Sequence, residues 1–333
     1  MCNYSFFIGI DVSKSVIDVS YYDEGSPVYF NLYANSKQGF EDLINDLTRK
    51  SETPSNEWFI CFENTGSYSK ALLHWLIDTG ITCREESPLK ISRSLGLRRG
   101  KDDKIDSRDI CRYAYEKRDR LKASKLDKSV VVNLKSLLSR RELLVKHRTA
   151  LNISLKEQKA SMNKKLYSML ELENETLLKT YEKQIKNLEE KIQEEIASDA
   201  EVAKNNKLSQ SVIGIGTITS AYIISVTNNF ELFEDARKFA CYCGVAPFPN
   251  SSGIRKGRTR VSHIANKKMK SLFSNCILAA ISYDPEIQNY YKRKIKEGKK
   301  PGVVFNAIKN KLIQRVFAVI KRQSPYVKLL RYA

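Results

Sequence analysis

The 333-residue sequence contains no apolar run approaching the ~20 residues that cross a bilayer, which argues against a membrane span. Its start, MCNYSFFIGIDVS, lacks the charged and then apolar character of a signal peptide and reads as a first strand. Histidine occurs three times and cysteine seven times. An odd number of thiols, mostly in apolar company as in WFICFEN and SNCILAA, points away from a disulfide framework and towards reduced, buried cysteines in a cytoplasmic protein. Cys241 and Cys243 stand C-x-C with His263 downstream, too few soft ligands for zinc. Negative charge is scarce as well: 38 acidic residues against 57 basic ones leave a net charge of +19. Such an excess favours a polyanionic partner, because each phosphate neutralised releases a counterion.

What is present divides the chain into three parts. FFIGIDV, VIDVSYY and VYFNLY read as strands, the first two forming a hairpin around the polar SKS. SKQGFEDLINDLTRK has helical spacing through Phe40, Leu43, Ile44 and Leu47 and opens with a capping residue. EWFICFEN is apolar enough for a central strand, YSKALLHWLIDTG is a helix closed by Gly80, and ITCREES is another strand. From Pro88 to about Arg120 the pattern is helical and basic. This order predicts an α/β domain over residues 1–125. Over 126–205 strand signals vanish. Leu134, Leu137, Leu138, Leu144, Leu151 and Leu155 mark one helix. Leu178, Tyr181, Ile185, Leu188 and Ile192 alternate three- and four-residue steps, the seam of a coiled-coil spacer or of a hairpin folded on itself. Residues 206–333 form a mainly helical, basic C-terminal domain.

The chemistry is suggested by carboxylates at strand ends. Asp11 ends the apolar run of IGIDVSK, and Glu63 ends that of ICFENTG. A carboxylate there costs desolvation unless it is paired or holds a cation. In RRGKDDKIDSRDI, Asp103 and Asp106 are i and i+3 and share a helix face. Asp102, Asp106 and Asp109 also share one, so spacing leaves the choice open. Together with the strand carboxylates such a face could hold two cations ~3.5–4 Å apart, which would stabilise both the attacking and the leaving oxygen of a phosphoryl displacement.

Further along, VIGIGT resembles a helix-hairpin-helix turn, whose glycines let backbone N–H groups approach a phosphate. RKGRTR, NKKMK and YYKRKIKEGKK are basic tracts interleaved with Tyr290, Tyr291, Phe305 and Tyr326, a mixture suited to unpaired nucleic acid, where bases can stack. Lys101, Arg255, Lys256, Arg258, Arg260, Lys267 and Lys268 are the candidate nucleic-acid-binding residues.

GIDVSK, FENTGSY and GKDDKIDSRDI, followed by SVIGIGTITSAYIISV and FEDARKFACYCGVAPFPNSSGIRKGR, resemble in order the DEDD transposases of the Piv-invertase type. These are the insertion sequence one-ten family of bridge-RNA-guided recombinases, and the resemblance spans nearly the whole chain. The family's acidic motif, K-x-D-x-x-D and a small residue, is matched by Lys101, Asp103, Asp106 and Ser107, so the resemblance assigns Asp103 rather than Asp102. It implies an α/β RNase H-like (RuvC-like) N-terminal domain and a mainly α C-terminal transposase domain. It also implies a site of Asp11, Glu63, Asp103 and Asp106 holding Mg²⁺ or Mn²⁺. Ser252, directly before Gly253, matches the family's nucleophile, with Ser251 its neighbour; a serine needs such activation and nearby cations to attack a phosphate. The expected partners are donor and target DNA, a structured guide (bridge) RNA and further copies of the chain in a dimer or tetramer.

Overall fold

A computed structural model describes residues 4–94, 103–159, 161–233, 235–248, 251–252, 255–256, 260–262 and 264–327. Contacts divide the chain into two units, 1–126 and 127–333.

The first unit is built on a five-stranded sheet in the order β3-β2-β1-β4-β5. β1 (Phe6–Val12), β2 (Val16–Asp23) and β3 (Ser26–Ala34) form an antiparallel meander. α1 (Lys37–Lys50) follows, opened by Ser36, whose hydroxyl accepts the Gly39 N–H at 3.3 Å. β4 (Trp58–Glu63) then pairs parallel to β1, and after α2 (Ser67–Asp78), β5 (Cys83–Glu86) pairs parallel to β4. α3 (Pro88–Ser94) and α4 (Asp103–Glu116) complete the unit.

Strand alternation decides what each face meets. Ile8, Ile10, Ile17, Val19, Ile60 and Phe62 enter a core closed by Phe40, Leu43 and Leu47 of α1 and Leu72 and Leu76 of α2. On the opposite face Phe7, Phe59 and Cys61 pack with Ile91 of α3 and Ile110, Tyr113 and Ala114 of α4. The N-terminal region is thus a mixed α/β sheet covered on both faces, as its order of elements predicts.

The second unit is mainly helical. α5 (Ser129–Gln158) and α6 (Lys164–Ala197) form an antiparallel hairpin. Asn133 meets Glu195, Arg141 meets Glu189, and His147 meets Tyr181 ring to ring at 6.3 Å, so one helix advances as the other returns. Ile185 and Ile192 of the predicted seam are buried, whereas Met169, Leu172 and Leu177 of the distal half are exposed. The base of the hairpin (Val130, Leu134, Leu138, Ile192 and Ile196) shares one core with the helices that follow. These are α7 (Ala200–Gln210), α8 (Thr217–Thr227), α9 (Ala236–Tyr242), α10 (Lys267–Tyr283), α11 (Pro285–Lys296) and α12 (Pro301–Arg322). Between α9 and α10 lie β6 (Pro247–Phe248), β7 (Ser251–Ser252), β8 (Arg255–Lys256) and β9 (Arg260–Val261), paired β6 with β9 and β7 with β8. Among the described residues no helix is long and apolar enough to cross a membrane.

Candidate active-site elements

The pleat that sends Ile10 and Phe62 into one core sends Asp11 and Glu63 to the face covered by α4. Ile10 pairs with Phe62 in the parallel ladder, and Asp11 and Glu63 are the next residues on their strands. The ladder continues in both directions. Asp18 of β2 stands directly across from Asp11, and Glu86 of β5 directly across from Glu63. Four carboxylates, Asp18, Asp11, Glu63 and Glu86, therefore run in one row across four strands.

The row is not uniform. Glu86 is 4% exposed and carries its own cations: Lys90 reaches its Oε1 at 3.0 Å, Arg84 its Oε2 at 3.2 Å, and the Tyr113 hydroxyl donates to Oε2 at 3.4 Å. Burial pushes this carboxyl up, but the Ser87 amide, Lys90 and Arg84 outweigh it and hold it below the usual glutamate range. Asp18 is buried and accepts the Tyr29 hydroxyl at 3.1 Å. Asp11 and Glu63 are only partly buried. Sequence reading missed Asp18 and Glu86, since VIDVSYY and CREES carry nothing that sets these two acids apart.

α4 docks on this face through small residues. A Cβ at Gly9 would lie 2.2 Å from the Cys111 nitrogen and 2.5 Å from the Ser107 oxygen, so only glycine lets helix and strand touch backbone to backbone. The Ser107 and Ser20 hydroxyls bond at 2.8 Å in a buried contact, and the Cys111 thiol donates to the Phe7 carbonyl at 3.4 Å. Tyr115 stacks on Tyr22 at 3.8 Å. Ser107, Cys111 and Tyr115 recur every four residues and descend β1 from Gly9 to Phe7. Position 103, where α4 opens, is next on this row towards the Asp11 end. Asp106 is partly buried beside Ser107. The Asp103 side chain, Asp102 and Lys101 lie outside the described residues.

Like charges directly opposite on a ladder destabilise it unless a cation lies among them. An oxygen-only donor set suits a hard divalent ion. The strand carboxylates therefore fit such an ion, although among the described residues no group of three acids, histidines or cysteines converges into a site by itself.

In the second unit, β6 pairs Pro247 with Val261 and Phe248 with Arg260 at the root of an arm. Beyond it, β7 and β8 pair Ser251 with Lys256 and Ser252 with Arg255. Ser252 is thus the last residue of β7, and its backbone stands opposite that of Arg255. The side chains of Ser251, Ser252, Arg255, Lys256 and Arg260 lie outside the described residues, as do Gly253, Arg258 and His263 entirely.

Several expected binding residues are used by the fold. Lys268 pairs with Glu142 at 3.1 Å and lies over the Tyr222 ring, whereas Lys267 is exposed. Tyr290, Tyr291, Phe305 and Tyr326, expected to stack on bases, pack instead against the core, with Tyr291 and Phe305 stacked on each other at 5.6 Å. Helical spacing brings them inward, and their basic neighbours conceal that in the sequence. In the VIGIGT turn, a Cβ on Gly214 (φ +96°) would strike the Cys276 oxygen at 2.8 Å, so this glycine serves contact with α10. Gly216, at the start of α8, faces open space. Cys243 is buried and Cys241 partly exposed at the end of α9.

Residues 8–159 match a family model described as a transposase of the DEDD insertion-element type, and residues 206–292 match that of the transposase IS116/IS110/IS902 family. The pilin gene-inverting protein of Moraxella lacunata is 27% identical over 332 residues, covering 97% of this chain and 98% of its own. That of Moraxella bovis shows the same identity and coverage. An uncharacterized 44.8 kDa protein of insertion element IS116 from Streptomyces clavuligerus is 25% identical over 117 residues, 35% of this chain and 28% of its own.

Proposed function

We propose that this chain, a DNA transposase/recombinase matching the DEDD and IS116/IS110/IS902 transposase families, inserts and excises its own insertion element by serine-dependent, metal-assisted strand exchange guided by a bridge RNA. One observation carries this reading: Asp11 and Glu63 stand side by side near the C-terminal ends of adjacent parallel strands, on the face covered by the helix that opens at Asp103. The sheet order, with α4 on one face and α1 and α2 on the other, supports an RNase H-like domain at 1–125. It precedes a helical spacer at 126–205 and a transposase domain at 206–333.

Enzymes of this type generally use divalent metal ions. Asp11, Glu63, Asp103 and Asp106 would hold Mg²⁺ or Mn²⁺, which when bound supplies Lewis-acid stabilisation of charge on the phosphate oxygens. The Ser252 oxygen attacks a backbone phosphorus. One O–P bond forms, one P–O bond of the strand breaks, and the hydroxyl proton leaves to a base or solvent. Arg255, Lys256, Arg258 and Arg260 neutralise the phosphate meanwhile. Attack by another strand's hydroxyl on the phosphoserine then rejoins the DNA and regenerates Ser252. Because an RNA guide selects by base pairing, this reading assigns no residue of the chain to sequence choice.

The exposed Met169, Leu172 and Leu177 support association of spacers in a dimer or tetramer with active sites completed between copies. Mixing Asp11→Ala chains with Ser252→Ala chains tests this: recovered activity supports shared sites, and none argues against them. A second reading is a RuvC-like metal-dependent junction nuclease that uses water, favoured by the presence of Asp11, Glu63 and α4 in one unit. A covalent protein–DNA adduct lost in Ser252→Ala and kept in Ser251→Ala excludes it. Adduct persisting in Ser252→Ala overturns the serine assignment.

A further inference from the structure

α12 carries one partly buried and one buried cation, treated in opposite ways. Arg315 is fully paired, reaching Asp284 at 2.5 Å and Glu286 at 2.6 Å. Two turns earlier, Lys309 is 9% exposed, between the fully buried Ile308 and the Leu312–Ile313 pair. Buried lysines are ordinarily matched with a carboxylate, because an unpaired buried charge is costly. Among the described residues Lys309 has no ion pair and no side-chain hydrogen bond. The charge that acts on it is another cation: burial, and then Lys270 of α10, hold its ammonium below the usual lysine range. Among the described residues, then, Arg315 meets two carboxylates and Lys309 none.

Both lysines line a cavity of about 650 Å³. Among the described residues no carboxylate lines it. Pro247 and Val261, the paired residues at the root of the Ser252 arm, form one wall. Asn306 and Asn310 of α12 add amides, and Asn306 is anchored by donating to the Val245 carbonyl at 2.7 Å. The space is far larger than the ~30 Å³ of one water.

We propose that this cavity is a phosphate pocket, in which Lys309 and Lys270 hold one backbone phosphate of the nucleic acid on which the second unit acts. An anion between the two ammonium groups removes their repulsion and supplies the counter-charge that Lys309 lacks. A nucleic-acid phosphate fits better than an acidic peptide, because the arm rooted at this wall carries Arg255, Lys256 and Arg260 into the same region of sequence. Held at the arm's root, a phosphate sets the register of the strand relative to Ser252. The inference rests on the reading that the second unit engages nucleic acid.

The test uses the full chain and two readouts that need no strand cleavage. In thermal unfolding at constant ionic strength, inorganic pyrophosphate raises the Tm of the wild type. Lys309→Met unfolds at a higher temperature than the wild type without pyrophosphate, and loses the response to it. In salt titrations of binding to a fixed DNA duplex and to a single-stranded RNA, Lys309→Met and Lys270→Gln each bind several-fold more weakly whatever the sequence. Each also lowers the slope of log affinity against log salt by about one. A lower Tm for Lys309→Met with unchanged affinity and slope shows a merely structural lysine and overturns the pocket. A pyrophosphate response with unchanged binding of both nucleic acids overturns the backbone assignment and leaves a free-phosphate site. Weaker binding of an acidic peptide alone overturns it in favour of a protein partner. Should Lys309→Met fail to fold, Lys270→Gln, on the more exposed lysine, decides by the same two measurements. If Ser252→Ala keeps full recombination, the catalytic reading falls while these outcomes still judge the pocket.

Discussion

Asp11, Asp18 and Glu63 stand on strands of six to eight residues, whereas Ser252 stands on a strand of two. In the first unit, continuous ladders and a helix pressed onto Gly9 settle where each acid lies relative to the next. In the second, the arm's own ladder settles only that the Ser252 backbone opposes that of Arg255. The acidic row is thus preorganised by backbone hydrogen bonds. On the proposed reading, carboxylates that hold an ion would benefit from rigidity of the first kind, and a serine that must meet an exchanged strand is compatible with the second.

That contrast can be broken most severely at the row itself. Asp11→Asn and Glu63→Gln are each expected to lower strand transfer by about 10³-fold, ~4 kcal/mol of barrier, with Tm nearly unchanged. A gel-based recombination assay measures it, and an active Asp11→Asn enzyme would sink the acidic site. Asp18→Asn keeps an acceptor for Tyr29 and is expected to cost about tenfold in the same assay, near 1.4 kcal/mol. No loss there would confine the working row to Asp11 and Glu63.

Arg315→Met leaves Asp284 buried without its cation and is expected to destabilise the second unit by ~3–5 kcal/mol in denaturant unfolding. Gly9→Ala forces α4 off β1 and is expected to cost ~1–3 kcal/mol, with recombination falling alongside. A neutral Gly9→Ala would show that the helix is not pressed on the strand. Gly216→Ala points into open space and is expected to be stable. If it nonetheless weakens DNA binding, the α8 start is a phosphate contact after all. The smallest effect separates two adjacent lysines. Lys267→Ala is expected to reduce the salt slope of DNA binding by about one. Lys268→Ala, already paired with Glu142, should leave that slope unchanged and lower stability by up to ~1 kcal/mol.

Much of the scaffold was legible because its causes are local. FFIGIDV and EWFICFEN announce buried strands by apolar density, and the Asn35–Ser36 pair announces the start of α1, with the structure choosing Ser36 as the cap. The ends of those strands pointed to Asp11 and Glu63 for the same reason. Asp18 and Glu86 were not legible, since an acid in a strand shows its role only when the register sets it across from another. Gly9 gave a faint signal, a glycine inside a strand, and its partner Cys111 lies 102 residues further along the chain. The aromatics of the basic tail misled because the sequence displays their charged neighbours and hides the face on which they pack.

By itself, then, the sequence determined the strands and helices of the first unit, the mainly helical nature of the second, the basic character and the ordered motifs, all properties of neighbouring residues or of the chain's total charge. Only the tertiary structure decided that four carboxylates share one row, that α4 closes on Gly9, and that Lys309 is buried near Lys270 and, among the described residues, has no acid paired to it. Those are relations between segments far apart in the chain. Register and packing create them, and no local pattern of residue types encodes either.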